Sequence, residues 1–171
     1  MKNLLRAAIF LSAIVAVGQD KLDFVDVDKI MVEVSKSVEA QNFKEVIAQL
    51  ERIPKNDSIY CGSLVSKTYY LMQDEQYDQL DKVYEEAQEL NCKEELKLIN
   101  LNKSVAFLRN ENYEASLEVS AILLKDHPFN TSAMKNKALA LFRLERYAES
   151  AEVYREIIRV HPFDEDAHLQ L

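Results

Sequence analysis

Apolar residues recur at three- and four-residue spacing along most of the chain, the interval at which side chains stack on one face of an α-helix. Ile30, Val34 and Val38 make a first such face; Val46, Ile47, Leu50 and Ile53 make a second after the polar pair Gln41-Asn42. Pro54-Lys55-Asn56-Asp57 ends this pair of helices, because proline lacks the N–H that a helix interior needs. Leu64, Thr68 and Leu71 carry the next face, within a helix expected over 58–71, and Tyr77, Leu80, Val83, Tyr84 and Ala87 the one after it. Leu98, Leu101, Val105 and Leu108 form a stripe beside Ile99 and Phe107, so this helix is apolar on two sides, like one sandwiched between neighbours. Glu94-Glu95, Thr131-Ser132 and Asp164-Glu165-Asp166 stand at helix starts, where acids and hydroxyls suit the positive end of the helix dipole. Asp26 or Asp28 is expected to cap the first helix.

Between Asn102 and Asp164 the pattern is written twice. Asn102-Lys103-Ser104-Val105-Ala106-Phe107-Leu108-Arg109 aligns with Asn136-Lys137-Ala138-Leu139-Ala140-Leu141-Phe142-Arg143, and His127-Pro128-Phe129-Asn130 aligns with His161-Pro162-Phe163-Asp164. Every aligned pair is separated by the same interval, the length of a helix–turn–helix repeat unit. A fixed period of this size marks a stacked array, in which one helical hairpin buries its apolar face only against the next. The stretch resembles the tetratricopeptide repeat family. The family's pattern residues correspond to Met134, Lys137, Ala138, Leu141, Ser150, Tyr154 and Pro162 in one unit and to Asn100, Lys103, Ser104, Phe107, Ser116, Ser120 and Pro128 in the unit before. Tyr113 and Tyr147 open the second helices, and Tyr77 and Phe43 continue that series towards the N-terminus. The chain departs from the pattern in having no Trp and no helix-crossing Gly, and in placing Lys103 and Lys137 where Leu is usual.

The resemblance implies an all-α fold, a right-handed superhelical array of about four hairpins. Its units fall at 27–60, 61–96, 97–130 and 131–164, followed by a short partial capping helix at 165–171. Tyr113 and Tyr147 are expected at equivalent buried edges between hairpins. The final segment, with Ala167, Leu169 and Leu171 as its apolar residues, is expected to cover only part of the face built by Leu141, Ile157 and Ile158, leaving a C-terminal edge for self-association.

Composition agrees with helix: 2 Gly and 3 Pro starve the chain of turn residues that an all-β fold needs. The formal net charge is −8 with no basic cluster, so the footprint of a nucleic-acid partner is missing. Met1 to Gly18 reads as a signal peptide, with Lys2 and Arg6 as its charged head, Ala7 to Val17 as an apolar run too short to span a bilayer, and Ala16-Val17-Gly18 as the cleavage site. Residues 19–26 follow as a linker, and the protein is expected to be exported, periplasmic or extracellular, with no membrane span after cleavage.

Candidate chemistry is sparse. Gly62 is the one Gly after residue 18, which excludes a P-loop, a dinucleotide fingerprint and a nucleophile elbow. His161, Asp164 and His168 lack the tight spacing of a metal set, so no metal, cofactor or catalytic group is expected and the protein reads as non-enzymatic. Cys61 and Cys92 fall at the same end of their hairpin, which leaves two readings, a structural disulfide in an oxidising compartment or two separate thiols. Of the triplets at Asn56, Asn102 and Asn130 that match a glycosylation pattern, Asn102 lies inside a helix.

Some family members hold a peptide C-terminus with a clamp of basic and Asn residues. Asn102 and Asn136 match its Asn places, but the basic places fall on Val65, Tyr69 and Ser132, which carry no charge. By the same analogy the concave face shows Val65, Tyr69, Met72, Leu101, Val105, Leu108, Lys135, Leu139, Phe142 and Arg143, apolar with a basic edge. Such a face suits an amphipathic helix or an extended apolar peptide, and equally suits packing between repeats. The implied function is an exported scaffold for a protein or peptide partner, with an assembly or oligomerisation subunit of an envelope complex as the alternative. Fold analogy alone does not fix a function.

Overall fold

The computed structural model describes residues 25–171; the signal peptide expected at 1–18 and residues 19–24 of the linker lie outside the described residues. Helices run in hairpins: α1 (Val27–Glu39) with α2 (Phe43–Leu50), α3 (Tyr60–Gln73) with α4 (Leu80–Glu89), α5 (Lys93–Arg109) with α6 (Tyr113–Asp126), and α7 (Thr131–Arg143) with α8 (Tyr147–Val160), followed by the short α9 (Glu165–Leu169). There is no strand among the described residues. Each helix packs on the next in sequence, and the first helices α3, α5 and α7 also lie side by side, which is the packing of a repeat array.

The turn inside each hairpin is one structure repeated. Gln41, Glu75, Glu111 and Glu145 all take the left-handed conformation, with φ of 53°, 58°, 56° and 60°. The residue after each donates its N–H back to the carbonyl of Ser37, Leu71, Phe107 or Leu141 at 2.9 Å, satisfying a helix-end acceptor as in a Schellman motif. Asn42 and Asn112 then cap α2 and α6 by accepting the N–H of Glu45 (3.2 Å) and Ala115 (3.3 Å). Gln76 makes no such bond, and the chain enters α4 through a 3₁₀ turn at Tyr77–Gln79. The His-Pro-Phe turns between hairpins also match: Asn130 caps α7 through Ala133 N–H and Asp164 caps α9 through Ala167 N–H, both at 2.9 Å.

Unit limits differ slightly from those read off the period. Tyr60, assigned to the first unit, begins α3, and α5 begins at Lys93, ahead of the expected limit at 97. Cys92 stands at the N-cap of α5. Of the capping residues expected at 165–171, Ala167 is buried, whereas Leu169 is 81% exposed and Leu171 is exposed too.

The core divides in two. Ile30, Val46, Leu50, Leu71, Leu80 and Ile99 belong to one cluster through the first hairpins, and Met134, Leu141, Tyr154, Ile157 and Ala167 to a second. Small residues let the helices of a hairpin approach. Ser116 Oγ donates to Ser104 O at 2.9 Å, and one repeat further on Ser150 Oγ donates to Ala138 O at 2.8 Å, so the serines in these small-residue places are hydrogen-bonded and buried.

Candidate functional site: the first-helix face

The residues expected on a binding face separate into three groups. Tyr69, Leu139, Phe142 and Arg143 are exposed, and Val65, Leu101, Val105 and Leu108 are half-buried. Tyr69 meets the Tyr70 ring edge-on at 5.2 Å, and Phe142 meets Tyr147 in the same way at 5.3 Å. Because α3, α5 and α7 are neighbours, Tyr69, Val105 and Leu139 occupy one equivalent position on three adjacent helices. Val65, Leu101 and Lys135 form the equivalent row one turn earlier.

Four expected members do other work. Met72 is 4% exposed and belongs to the first core cluster, so it presents nothing to a ligand. Asn102 donates to Thr68 Oγ1 at 2.9 Å and to Val65 O at 3.3 Å, and Asn136 donates to Ser104 Oγ at 2.7 Å. Both amides thus tie a first helix to the one before it, a use that the repeat period hides because the partners are themselves repeat-related. Lys135 is half-buried and paired with Asp164 (2.9 Å) and Asp166 (2.8 Å). These bonds raise the Lys135 pKa and, with the Ala167 N–H, hold the Asp164 carboxyl below its usual range. The lysine fastens α9 to α7 instead of forming a basic rim.

Tyr147 also departs from expectation. It is 55% exposed against Phe142, while Tyr113 is half-buried, so the two are not equivalent. With no helix over its outer face, the Tyr147 ring belongs to the exposed apolar surface.

Lys103, which stands in the family's Leu place, and the matching Lys67 both form ion pairs across the hairpin boundary. Lys67 pairs with Glu51 at 2.7 Å, and Lys103 with Asp81 at 2.7 Å. Lys103 is only 5% exposed, and its ammonium lies 4.3 Å from the centre of the Tyr84 ring. Each reaches from a first helix to the second helix of the preceding hairpin or just beyond its end. The signal was available in the recurrence of lysine at Lys67, Lys103 and Lys137, each one repeat after the last.

Cys61 and Cys92 are joined as a disulfide, with Cα atoms 5.5 Å apart, linking the first turn of α3 to the N-cap of α5. Glu95 lies with them in a group whose ligand atoms are within 4.8 Å of one another, but the sulfurs are bonded to each other and offer no thiolate. His168 Nε2 lies 2.9 Å from Pro162 O, and the described residues do not gather His161, Asp164 and His168 into one group of candidate ligands. No described helix is long and apolar enough to cross a membrane.

A sequence model of the tetratricopeptide repeat family matches residues 101–165, from the middle of α5 to the start of α9. Over those residues the chain is similar to the tetratricopeptide repeat family. Its hairpins outside that match have the same turn geometry, so the architecture extends beyond the matched stretch. Tetratricopeptide repeats build protein–protein interaction scaffolds and are generally non-enzymatic, which places the exposed first-helix face in a family context. No curated protein matches the chain.

Proposed function

We propose that this protein is an exported scaffold that holds a peptide or helix of a partner protein on its first-helix face. The observation that carries this reading is the set of exposed or half-buried apolar side chains, Tyr69, Leu101, Val105, Leu108, Leu139 and Phe142, on three neighbouring helices. Export rests on the signal-like Met1–Gly18, and a disulfide suits an oxidising compartment. A photo-crosslinking residue placed at Phe142 in cells expressing the chain should capture a protein that the same residue at Glu152 does not, and Leu139→Asp should abolish the capture. Equal capture at both positions overturns the reading. Mass spectrometry of the same material should find Gln19 at the N-terminus; a species retaining Lys2 overturns cleavage.

A second reading, an assembly subunit, draws on Phe163 and Leu169, which are 94% and 81% exposed near one another in sequence. Sedimentation separates the two, since an assembly subunit gains mass with concentration and a monomeric peptide binder does not.

A further inference from the structure

We infer that the occupant of the first-helix face is an amphipathic helix with two acidic side chains seven residues apart along one edge, met by Arg109 and Arg143. The inference rests on the peptide-binding reading above and narrows it to one partner chemistry.

Width argues for a helix. The apolar strip runs from Leu101 to Leu108 along α5. Seven residues of helix rise about 10 Å, which matches the 10–12 Å diameter of a helix with its side chains. A single extended strand fills only about 5 Å, the spacing of strands in a sheet, and would leave half of the strip wet. Length agrees: three packed helices at about 8–10 Å spacing present roughly 20 Å, the rise of about 13 helical residues.

Charge fixes the edge. Gln73, Arg109 and Arg143 occupy equivalent places in the last turns of α3, α5 and α7, bordering the strip beyond Leu108 and Phe142. Arg109 Nη1 donates to Gln73 Oε1 at 3.4 Å, so the row is continuous across the α3–α5 boundary. Among the described residues neither arginine is in an ion pair, in contrast to Lys67, Lys103 and Lys135. Glu111 and Glu145 lie two residues further on, in the left-handed turns past the helix ends. Neighbouring packed helices stand about 8–10 Å apart, and a crossing helix brings residues i and i+7 to the same side about 10 Å apart. One acid then meets each arginine while the apolar face seats on Val105, Leu139 and Phe142. Unequal charge at the rim sets specificity and encounter rate more than total affinity.

The test is a selection of displayed 16-residue helical peptides against the purified chain with its disulfide intact. Peptides carrying an apolar face should be enriched, with Glu or Asp at two positions seven apart. Charge reversal of the rim (Arg109→Glu with Arg143→Glu) should weaken a selected peptide at least about tenfold at low salt, taking roughly 0.7 kcal/mol per exposed pair as the basis for that factor. The same variant should shift the selected pair to Lys or Arg. Circular dichroism melting establishes that it is folded. Enrichment of apolar helices with no acidic preference, or binding indifferent to the reversal, overturns the inference and leaves the peptide-binding reading standing. Enrichment unaffected by Leu139→Asp with Phe142→Asp, or no enrichment at all, overturns both.

Discussion

Lys103 shows what a departure from a repeat pattern means physically. Where the family has a leucine, a lysine stem lies buried between hairpins while its ammonium reaches Asp81 and the Tyr84 ring. The aliphatic stem supplies the packing and the charged head remains paired. Lys103→Leu should therefore alter stability by no more than about 1 kcal/mol, since replacing an ion pair by apolar packing is often neutral or better. Lys103→Ala removes the stem as well and should cost about 2 kcal/mol. Urea unfolding of the two variants checks this, and equal losses would show that the charge, not the stem, matters. Glu86 offers a second residue-scale test. Burial alone raises its pKa, but hydrogen bonds from Lys55 and from the Tyr60 hydroxyl (2.8 Å) outweigh burial and hold it below 4.5. A carboxyl depressed on folding contributes stability above its unfolded pKa and loses it as pH falls through the folded value. The melting-temperature gap between the wild type and Glu86→Gln should thus be full at neutral pH and close below pH 4.5.

At the scale of elements, the hairpin turns carry glutamine at Gln41 and glutamate at Glu75, Glu111 and Glu145 where the backbone favours glycine. A non-glycine residue in the left-handed region costs about 1–2 kcal/mol, and glycine's extra unfolded freedom returns roughly 0.5–1 of that. Glu145→Gly, with φ of 60° at that position, should raise stability by about 0.5–1 kcal/mol, read from the denaturation midpoint. A loss would mean that the Glu145 side chain is held by something stronger than the turn. Helices were legible because apolar spacing reports which face is buried. The 3₁₀ entry to α4 was not, because it follows from Gln76 failing to cap, an event of local geometry. The start of α5 was legible too, since Glu94 and Glu95 fall in its first turn.

For the whole molecule, the Cys61–Cys92 bond ties α3 to α5 around the shortest second helix outside the first hairpin. Closing a loop of this size contributes about 3–4 kcal/mol in the chain-entropy model. The doubly substituted chain, Cys61→Ser with Cys92→Ser, should lose about that much in urea unfolding, and unreduced denatured wild type should show no titratable thiol. Two free thiols per chain would rule the bond out.

The repeat period by itself determined the class of fold, the helical hairpins and the alignment of equivalent positions, because burial in a stacked array repeats with the unit. Tertiary structure alone decided which equivalent positions share a fate. Met72 falls into the core while Phe142 stays in water, and Lys135 meets two carboxylates from α9 and its N-cap while Arg143 meets none. Periodicity specifies the direction in which a side chain leaves its helix; whether anything stands there depends on the neighbouring hairpin, and neighbouring hairpins differ.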